Sequence, residues 1–214
     1  MKIKLSLLFA ILGWFAIITQ FVLMMNQRVT SVAETSIRFF SFFTILTNCI
    51  VALYFTYVSL KERPGFFRWF DKPGTLTAIT VYITIVGLVY QVVLRKIWEP
   101  TGMQMIVDEL LHTVIPVLVI LFWYIYENKS DIKWTQLPGW LLYPFLYLIF
   151  VLFRGQLSGF YPYFFIDLNE LGWSKVLINA IMLILVFLLV SSVFIYLGKV
   201  IGRFSNSNDV KSND

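Results

Sequence analysis

The alternation of apolar and polar stretches divides the chain into six long apolar runs, at about Leu5–Met25, Ile37–Leu60, Thr75–Leu94, Val107–Tyr126, Leu137–Phe153 and Lys175–Lys199. Each approaches the ~20 residues that an α-helix needs to cross about 30 Å of hydrocarbon. The runs are continuous, whereas a membrane β-strand would alternate strictly over ~10 residues, so the pattern predicts helices rather than a barrel. The first run follows Lys2 and Lys4 as a signal peptide would. It is long enough to span and lacks a small-residue cleavage signature, so it reads as a retained helix. The expected architecture is an all-α polytopic membrane bundle of six transmembrane helices over residues 1–204, followed by a short polar tail, 205–214, expected to be disordered. No internal repeat is visible, and hence no inverted-repeat signature of a secondary transporter.

Composition strengthens this picture. Of 214 residues, 59% are apolar and only 14% charged, against the roughly 45–50% and ~25% of a soluble domain. Almost no sequence remains for a soluble domain. The net charge of +5 is spread over loops and helix ends rather than gathered on one face, so nucleic acid is not an expected partner. It orients the chain instead. Lys2, Lys4, Lys61, Arg63, Arg68, Lys72, Lys129, Lys133, Lys199, Arg203 and Lys211 fall on one side of the bundle, and Arg28, Arg38, Arg95, Lys96, Arg154 and Lys175 on the other. By the positive-inside rule both termini are cytoplasmic, in a multi-pass plasma membrane protein. Cys49 is the single cysteine, which excludes an intrachain disulfide and a thiolate metal cluster. No metal or organic cofactor is expected.

With that orientation, the strongly polar side chains Gln20, Gln91, Glu109, His112, Arg154 and Asn179 all lie toward the external ends of their helices, with Asn48 near the middle of the second. Polar groups at membrane depth cost a few kcal/mol and face a bundle interior or a wet cavity, so a one-sided layer points to a cavity opening outward. Snorkelling to the interface covers Arg154 and Glu109 but covers His112 and Asn179 less well. The external loop Gly155–Ser174 is rich in aromatic residues and reads either as an interfacial belt or as a lid over a lipid-facing pocket.

His112 is the only histidine. It sits roughly 8 Å below the external end of the fourth helix at 1.5 Å per residue. Asp108, four positions earlier on the same face, is placed for its carboxylate to fix the imidazole tautomer. Pro116, four positions later, has no N–H for the carbonyl of His112, which predicts a kink there. In the second helix Thr44 lies roughly 10 Å deep, a similar depth, with Ser41, Thr47 and Asn48 on its face. A lone hydroxyl in a membrane helix ordinarily bonds its own i−4 carbonyl. Beside a neutral imidazole it becomes a nucleophile, so contact between the second and fourth helices would pair Thr44 with His112 as nucleophile and base. Asn48, Asn179 or a backbone N–H would then serve an oxyanion, and Arg154 a substrate carboxylate. Gln91 belongs to the same supporting layer.

The stretches Phe-Phe-Thr-Ile-Leu-Thr-Asn at 42–48 and Leu-Leu-His-Thr-Val-Ile-Pro at 110–116 carry a resemblance. With Trp-Leu-Leu-Tyr-Pro at 140–144, Arg-Gly at 154–155, Gly-Phe-Tyr-Pro-Tyr at 159–163 and Asn179, the chain resembles the bacterial six-helix relatives of the androgen-induced and androgen-dependent TFPI-regulating proteins. To the animal proteins it is similar mainly in the Phe-x-Thr stretch and the His-Thr-x-x-x-Pro pattern. Those proteins are membrane threonine hydrolases of fatty acid esters of hydroxy fatty acids. The resemblance implies Thr44 as nucleophile, with Thr47 one turn away as the alternative, His112 as base, and a membrane lipid or lipid-like ester as substrate. Two other classes fit the polar layer: a transporter or lipid-binding protein using the same cavity, and an assembly subunit in which the layer serves helix packing.

Overall fold

Residues too apolar to be left in water and too long in run to form strands fold as helices whose backbone polar groups are satisfied within each segment. The computed structural model describes residues 1–211, and among them helices and short helical turns are the only regular elements. They are α1 (Lys2–Asn26), α2 (Val32–Phe39), α3 (Phe43–Ser59), α4 (Thr75–Val89), α5 (Gly102–Glu109), α6 (Ile115–Tyr126), α7 (Leu137–Ser158) and α8 (Leu168–Lys211). Two π-helical turns extend this set: Tyr90–Leu94 prolongs α4, and Leu110–Val114 joins α5 to α6. Among the described residues five helical segments are long and apolar enough to cross a membrane, and α2 with α3 forms a sixth if the bent pair is counted as one span. The chain is therefore a multi-pass membrane bundle. The tail expected to be disordered, 205–214, ends in residues 212–214, which lie outside the described residues.

The core is organised around α4, which packs against α3, α6 and α8, while α1 lies along α3 and α7 along α8. Small residues set the closest approaches, as expected where lipid rather than water surrounds the helices. Gly13 of α1 sits so near Ala52 of α3 that a Cβ on it would lie 3.1 Å from the alanine's. Gly87 of α4 similarly abuts the His112 carbonyl and Pro116. Polar side chains inside the bundle find partners across helices: Trp14 Nε1–H donates to Thr56 Oγ1 (3.0 Å), Trp123 Nε1–H to Thr77 Oγ1 (2.9 Å) and the Tyr82 hydroxyl to the Trp140 carbonyl (2.7 Å). Such bonds contribute about 0.6 kcal/mol each in a membrane bundle. The outward faces carry Leu7, Ile11 and Ile18 of α1, Leu146 and Ile149 of α7, and Ile178 of α8, all exposed as a lipid-facing surface would be.

The expected second helix, Ile37–Leu60, is not continuous. The chain bends by 73° between α2 and α3. Two interactions account for the break. The Ser41 hydroxyl donates back to the Ile37 carbonyl (2.7 Å), a local bond that competes with the helical ladder. The Ser41 carbonyl then accepts from the hydroxyl of Tyr147 on α7 (2.9 Å) instead of from a helical N–H. Thr44 consequently lies in the first turn of α3, not two turns down a longer helix.

Candidate functional site

The first turn of α3 and the π-turn Leu110–Val114 meet near the bundle end that carries residues 27–31, 95–101 and 159–167, and this contact brings Thr44 to His112. Thr44 Oγ1 lies 3.3 Å from His112 Nε2. The ring's other nitrogen, Nδ1, lies 2.9 Å from the main-chain carbonyl oxygen of Asp108. A carbonyl only accepts, so in the neutral ring Nδ1 carries the hydrogen and Nε2 presents its lone pair to the Thr44 hydroxyl. Tyr90, at the start of the other π-turn, stacks on the imidazole with centroids 4.1 Å apart and an interplanar angle of 14°. The ring is thus held in plane by one contact and in rotation by another. π-Turns are concentrated at functional sites, and here one supplies the imidazole and the other its stacking partner.

Thr47, the alternative hydroxyl, is turned elsewhere: its Oγ1 pairs with the Tyr143 hydroxyl at 3.0 Å. Only Thr44 is within hydrogen-bond reach of the imidazole.

Several supporting side chains have other work than the sequence indicates. The Asp108 carboxylate does not touch the imidazole; it accepts from Trp98 Nε1–H (2.6 Å) and Gln104 Nε2–H (3.2 Å), and it is the residue's backbone that orients His112. At i+4 on one helix, the ring nitrogen reaches the i−4 carbonyl more directly than a short side chain that already has two donors. Asn48 is fully buried, and its amide Nδ2 donates to the Thr44 carbonyl (2.9 Å) and the Leu111 carbonyl (3.3 Å). Both of its hydrogens are used, so it is no oxyanion donor. It is a clasp between Thr44 and Leu111, the residue preceding His112.

Arg154 is not free to receive a substrate carboxylate. Its guanidinium donates to Glu34 Oε1 (2.7 Å), Ser158 Oγ (3.2 Å) and the Phe160 carbonyl (3.2 Å). Glu34 also accepts from Arg38 Nε (2.7 Å), so it bridges the two arginines. Asn179 is likewise remote from the hydroxyl and the imidazole as a donor: its Nδ2 donates to the Phe165 carbonyl (2.8 Å). Gln91 donates to Thr113 Oγ1 (2.8 Å) and accepts from Arg95 (2.7 Å), while Arg95 pairs with Glu109 at 2.6 Å. Gln20 accepts from Gln104 (2.8 Å).

Arg154 and Asn179 instead shape the aromatic segment 159–166. The Tyr161 ring rests on Gly155 where any side chain would collide, and Ile166 is buried beneath the segment. The result aims Tyr163, a residue the sequence marks only as part of an aromatic loop, at the first turn of α3. Its hydroxyl accepts from the Thr44 backbone N–H at 3.3 Å and lies 3.5 Å from Thr44 Oγ1. Its ring stacks on Phe165 and meets Phe42 edge-on. Burial raises the phenol above its ordinary value, so it holds its proton at neutral pH.

Thr44, Leu94 and Tyr163 each line two neighbouring cavities. One, about 350 Å³, is apolar and bounded by Ile85, Val86, Leu141, Phe145, Leu183 and Phe187. The other, about 480 Å³, contains His112 and is bounded by Gln27, Arg28, Arg38, Gln104 and Asp108 among others. Among the described residues no group of three His, Cys, Asp or Glu side chains is arranged to hold a metal ion. A hydroxyl hydrogen-bonded to a tautomer-fixed imidazole, on a residue that lines both an apolar and a polar cavity, has the parts needed for nucleophilic attack on an amphiphilic carbonyl compound. No family model matches the chain, and no curated protein or solved structure matches it at a significant level.

Proposed function

We propose that this chain is an intramembrane hydrolase of lipid-like carboxylic esters, with Thr44 as nucleophile and His112 as general base. The observation that carries the reading is the 3.3 Å approach of Thr44 Oγ1 to an imidazole nitrogen whose lone pair is exposed by the bond from Nδ1 to Asp108. Structural hydroxyls in membrane helices bond their own i−4 carbonyl, as Thr80 and Thr84 do here. Thr44, in the first turn of its helix, bonds the histidine instead.

In this reading His112 Nε2 takes the Thr44 proton as Oγ1 attacks the ester carbonyl. Collapse of the tetrahedral intermediate breaks the bond to the alcohol oxygen, which receives the proton from His112. A water entering from the polar cavity is then deprotonated by His112 and attacks the acyl-threonine, releasing the acid and restoring the hydroxyl. The apolar cavity suits an alkyl chain and the polar one the opposite arm and the water. The resemblance of residues 42–48 and 110–116 to the membrane threonine hydrolases supports the same pair and extends it to fatty acid esters of hydroxy fatty acids. With the termini in the cytoplasm, the carbonyl would sit near the outer leaflet.

The test is covalent labelling of the purified protein in detergent by a lipid-like fluorophosphonate, with the adduct located by mass spectrometry. Wild type and Thr47→Ala are expected to carry it on Thr44, and Thr44→Ala and His112→Ala to carry none. No adduct on wild type, under conditions that label a control hydrolase, would overturn the reading and favour a lipid-binding or transport role for the cavities.

A further inference from the structure

The attack described above leaves one requirement without a group. Negative charge develops on the former carbonyl oxygen, and in a water-poor site it needs a preorganised donor about 2.7–3.1 Å away. The side chains nearest in sequence terms are unavailable: both Asn48 hydrogens are committed to the Thr44 and Leu111 carbonyls, Arg154 is held by Glu34, and Asn179 is held by Phe165. The Thr44 N–H, one of the donors left without a helical partner at the start of α3, is already given to Tyr163.

We propose that the Tyr163 hydroxyl is a catalytic residue of this chain, donating its hydrogen to the oxyanion formed when Thr44 attacks an ester. The inference rests on the hydrolase reading of the same site and names a residue that reading does not. Three observations carry it. The phenol oxygen is 3.5 Å from Thr44 Oγ1, a distance from which it reaches an oxygen one bond beyond the attacked carbon. Its lone pair is occupied by the Thr44 N–H, which leaves its own O–H as the group to be directed onward. It also lines both cavities, so the carbonyl of a substrate with one arm in each would lie beside it. The N–H to phenol bond orients the donor and, by withdrawing electron density from the phenol oxygen, strengthens the hydrogen bond it gives. The phenol keeps its proton throughout; the proton that moves is the one exchanged between Thr44, His112 and the leaving alcohol.

A different role for the same hydroxyl makes the opposite prediction. If Tyr163 only occupied the start of α3, its removal would free the Thr44 N–H to receive the oxyanion, and turnover would hold or rise.

The experiment compares wild type, Tyr163→Phe, Tyr163→Ala and Thr44→Ala on p-nitrophenyl octanoate in detergent, measuring kcat and KM separately and thermal unfolding alongside. The proposal expects Tyr163→Phe to lose about 10²-fold in kcat, with KM within about threefold and the unfolding temperature unchanged. It also expects p-cresol, but not toluene, to restore part of the rate of Tyr163→Ala, which keeps the test sound should the ring itself be needed for folding of the segment. Unchanged or faster kcat in Tyr163→Phe, or equal rescue by toluene, overturns the oxyanion role while Thr44-dependent turnover by wild type leaves the hydrolase reading standing. Absence of Thr44-dependent turnover in wild type overturns both.

Discussion

The two cavities lined by Thr44 have only Leu94 and Tyr163 as further walls in common. One is lined chiefly by aliphatic and aromatic side chains from α3, α4, α7 and α8, with no carboxylate, amine, guanidinium or imidazole among them. The other is walled by α1, the α2 segment and α5, and is lined by arginine, glutamine and aspartate. Water is costly to hold in the first and readily held in the second, since an isolated polar molecule among apolar walls lacks the two to four partners it needs. An alkyl chain has the reverse preference, by about 0.8 kcal/mol for each methylene removed from water. Under the proposed function, this difference would sort the two ends of an amphiphile by the walls alone and would place the point where its polar head and apolar tail join beside Thr44, which lines both cavities. His112 lines only the polar cavity while Thr44 lines both, an arrangement that under the proposed hydrolysis would give the base access to water and the nucleophile access to the carbonyl.

The comparison breaks most sharply at Thr44 itself. Thr44→Ala is expected to lower ester turnover by at least about 10³-fold, whereas Thr47→Ala, which loses only its bond to Tyr143, stays within about threefold of wild type. Steady-state assays on one chromogenic ester check both, and an inactive Thr47→Ala beside an active Thr44→Ala would exchange their roles. Replacing the base is the next largest change. His112→Gln keeps a side chain of similar reach without a proton-accepting ring, and is expected to cost roughly 10²–10⁴-fold in kcat.

Smaller effects probe what holds the two cavities in register. Asn48→Leu removes the clasp joining the Thr44 and Leu111 carbonyls. It is expected to lower kcat about tenfold and to destabilise the protein by about 1–2 kcal/mol through the carbonyl left unsatisfied; thermal unfolding in detergent and kcat measured on the same preparation separate the two. The apolar wall is the last. Leu183→Trp fills part of the 350 Å³ cavity and is expected to shift preference toward short acyl chains by about tenfold in kcat/KM, in keeping with the 1–3 kcal/mol that pocket size supplies. A preference that does not move with chain length would show that the acyl chain lies elsewhere.

Much of this site was legible in the order of residues. His112 stood out as the one histidine in a membrane-length apolar run, and Thr44 as a hydroxyl at comparable depth on a helix of the same direction. The pairing is found, although by a different geometry: α2 and α3 are separate helices, and the hydroxyl reaches the base from a helix start rather than from mid-helix. The break depends on Tyr147, whose hydroxyl lies 106 positions from the Ser41 carbonyl it meets. No local pattern contains that bond. The supporting residues take their partners for the same reason. Arg154 looked like an anion receptor until Glu34, 120 positions away, occupied it, and Glu34 sits in a short helix that hydropathy alone places at the edge of a longer span. Tyr163 was visible only as one ring among many in an aromatic segment. Its aim at Thr44 depends on Gly155 receiving Tyr161 and on Asn179 holding Phe165.

What the sequence determined by itself is the membrane bundle and the gathering of polar groups toward one end of it. Both follow from quantities that add residue by residue: the length of each apolar run against the thickness of hydrocarbon, and the cost of a polar side chain at a given depth. What the tertiary structure decided is which polar atoms are free. A hydrogen bond saturates its donor, so the availability of Asn48, Arg154 or Tyr163 for a substrate depends on whether some distant residue has already claimed it. That exclusivity is a property of packed neighbours and has no counterpart in composition or periodicity.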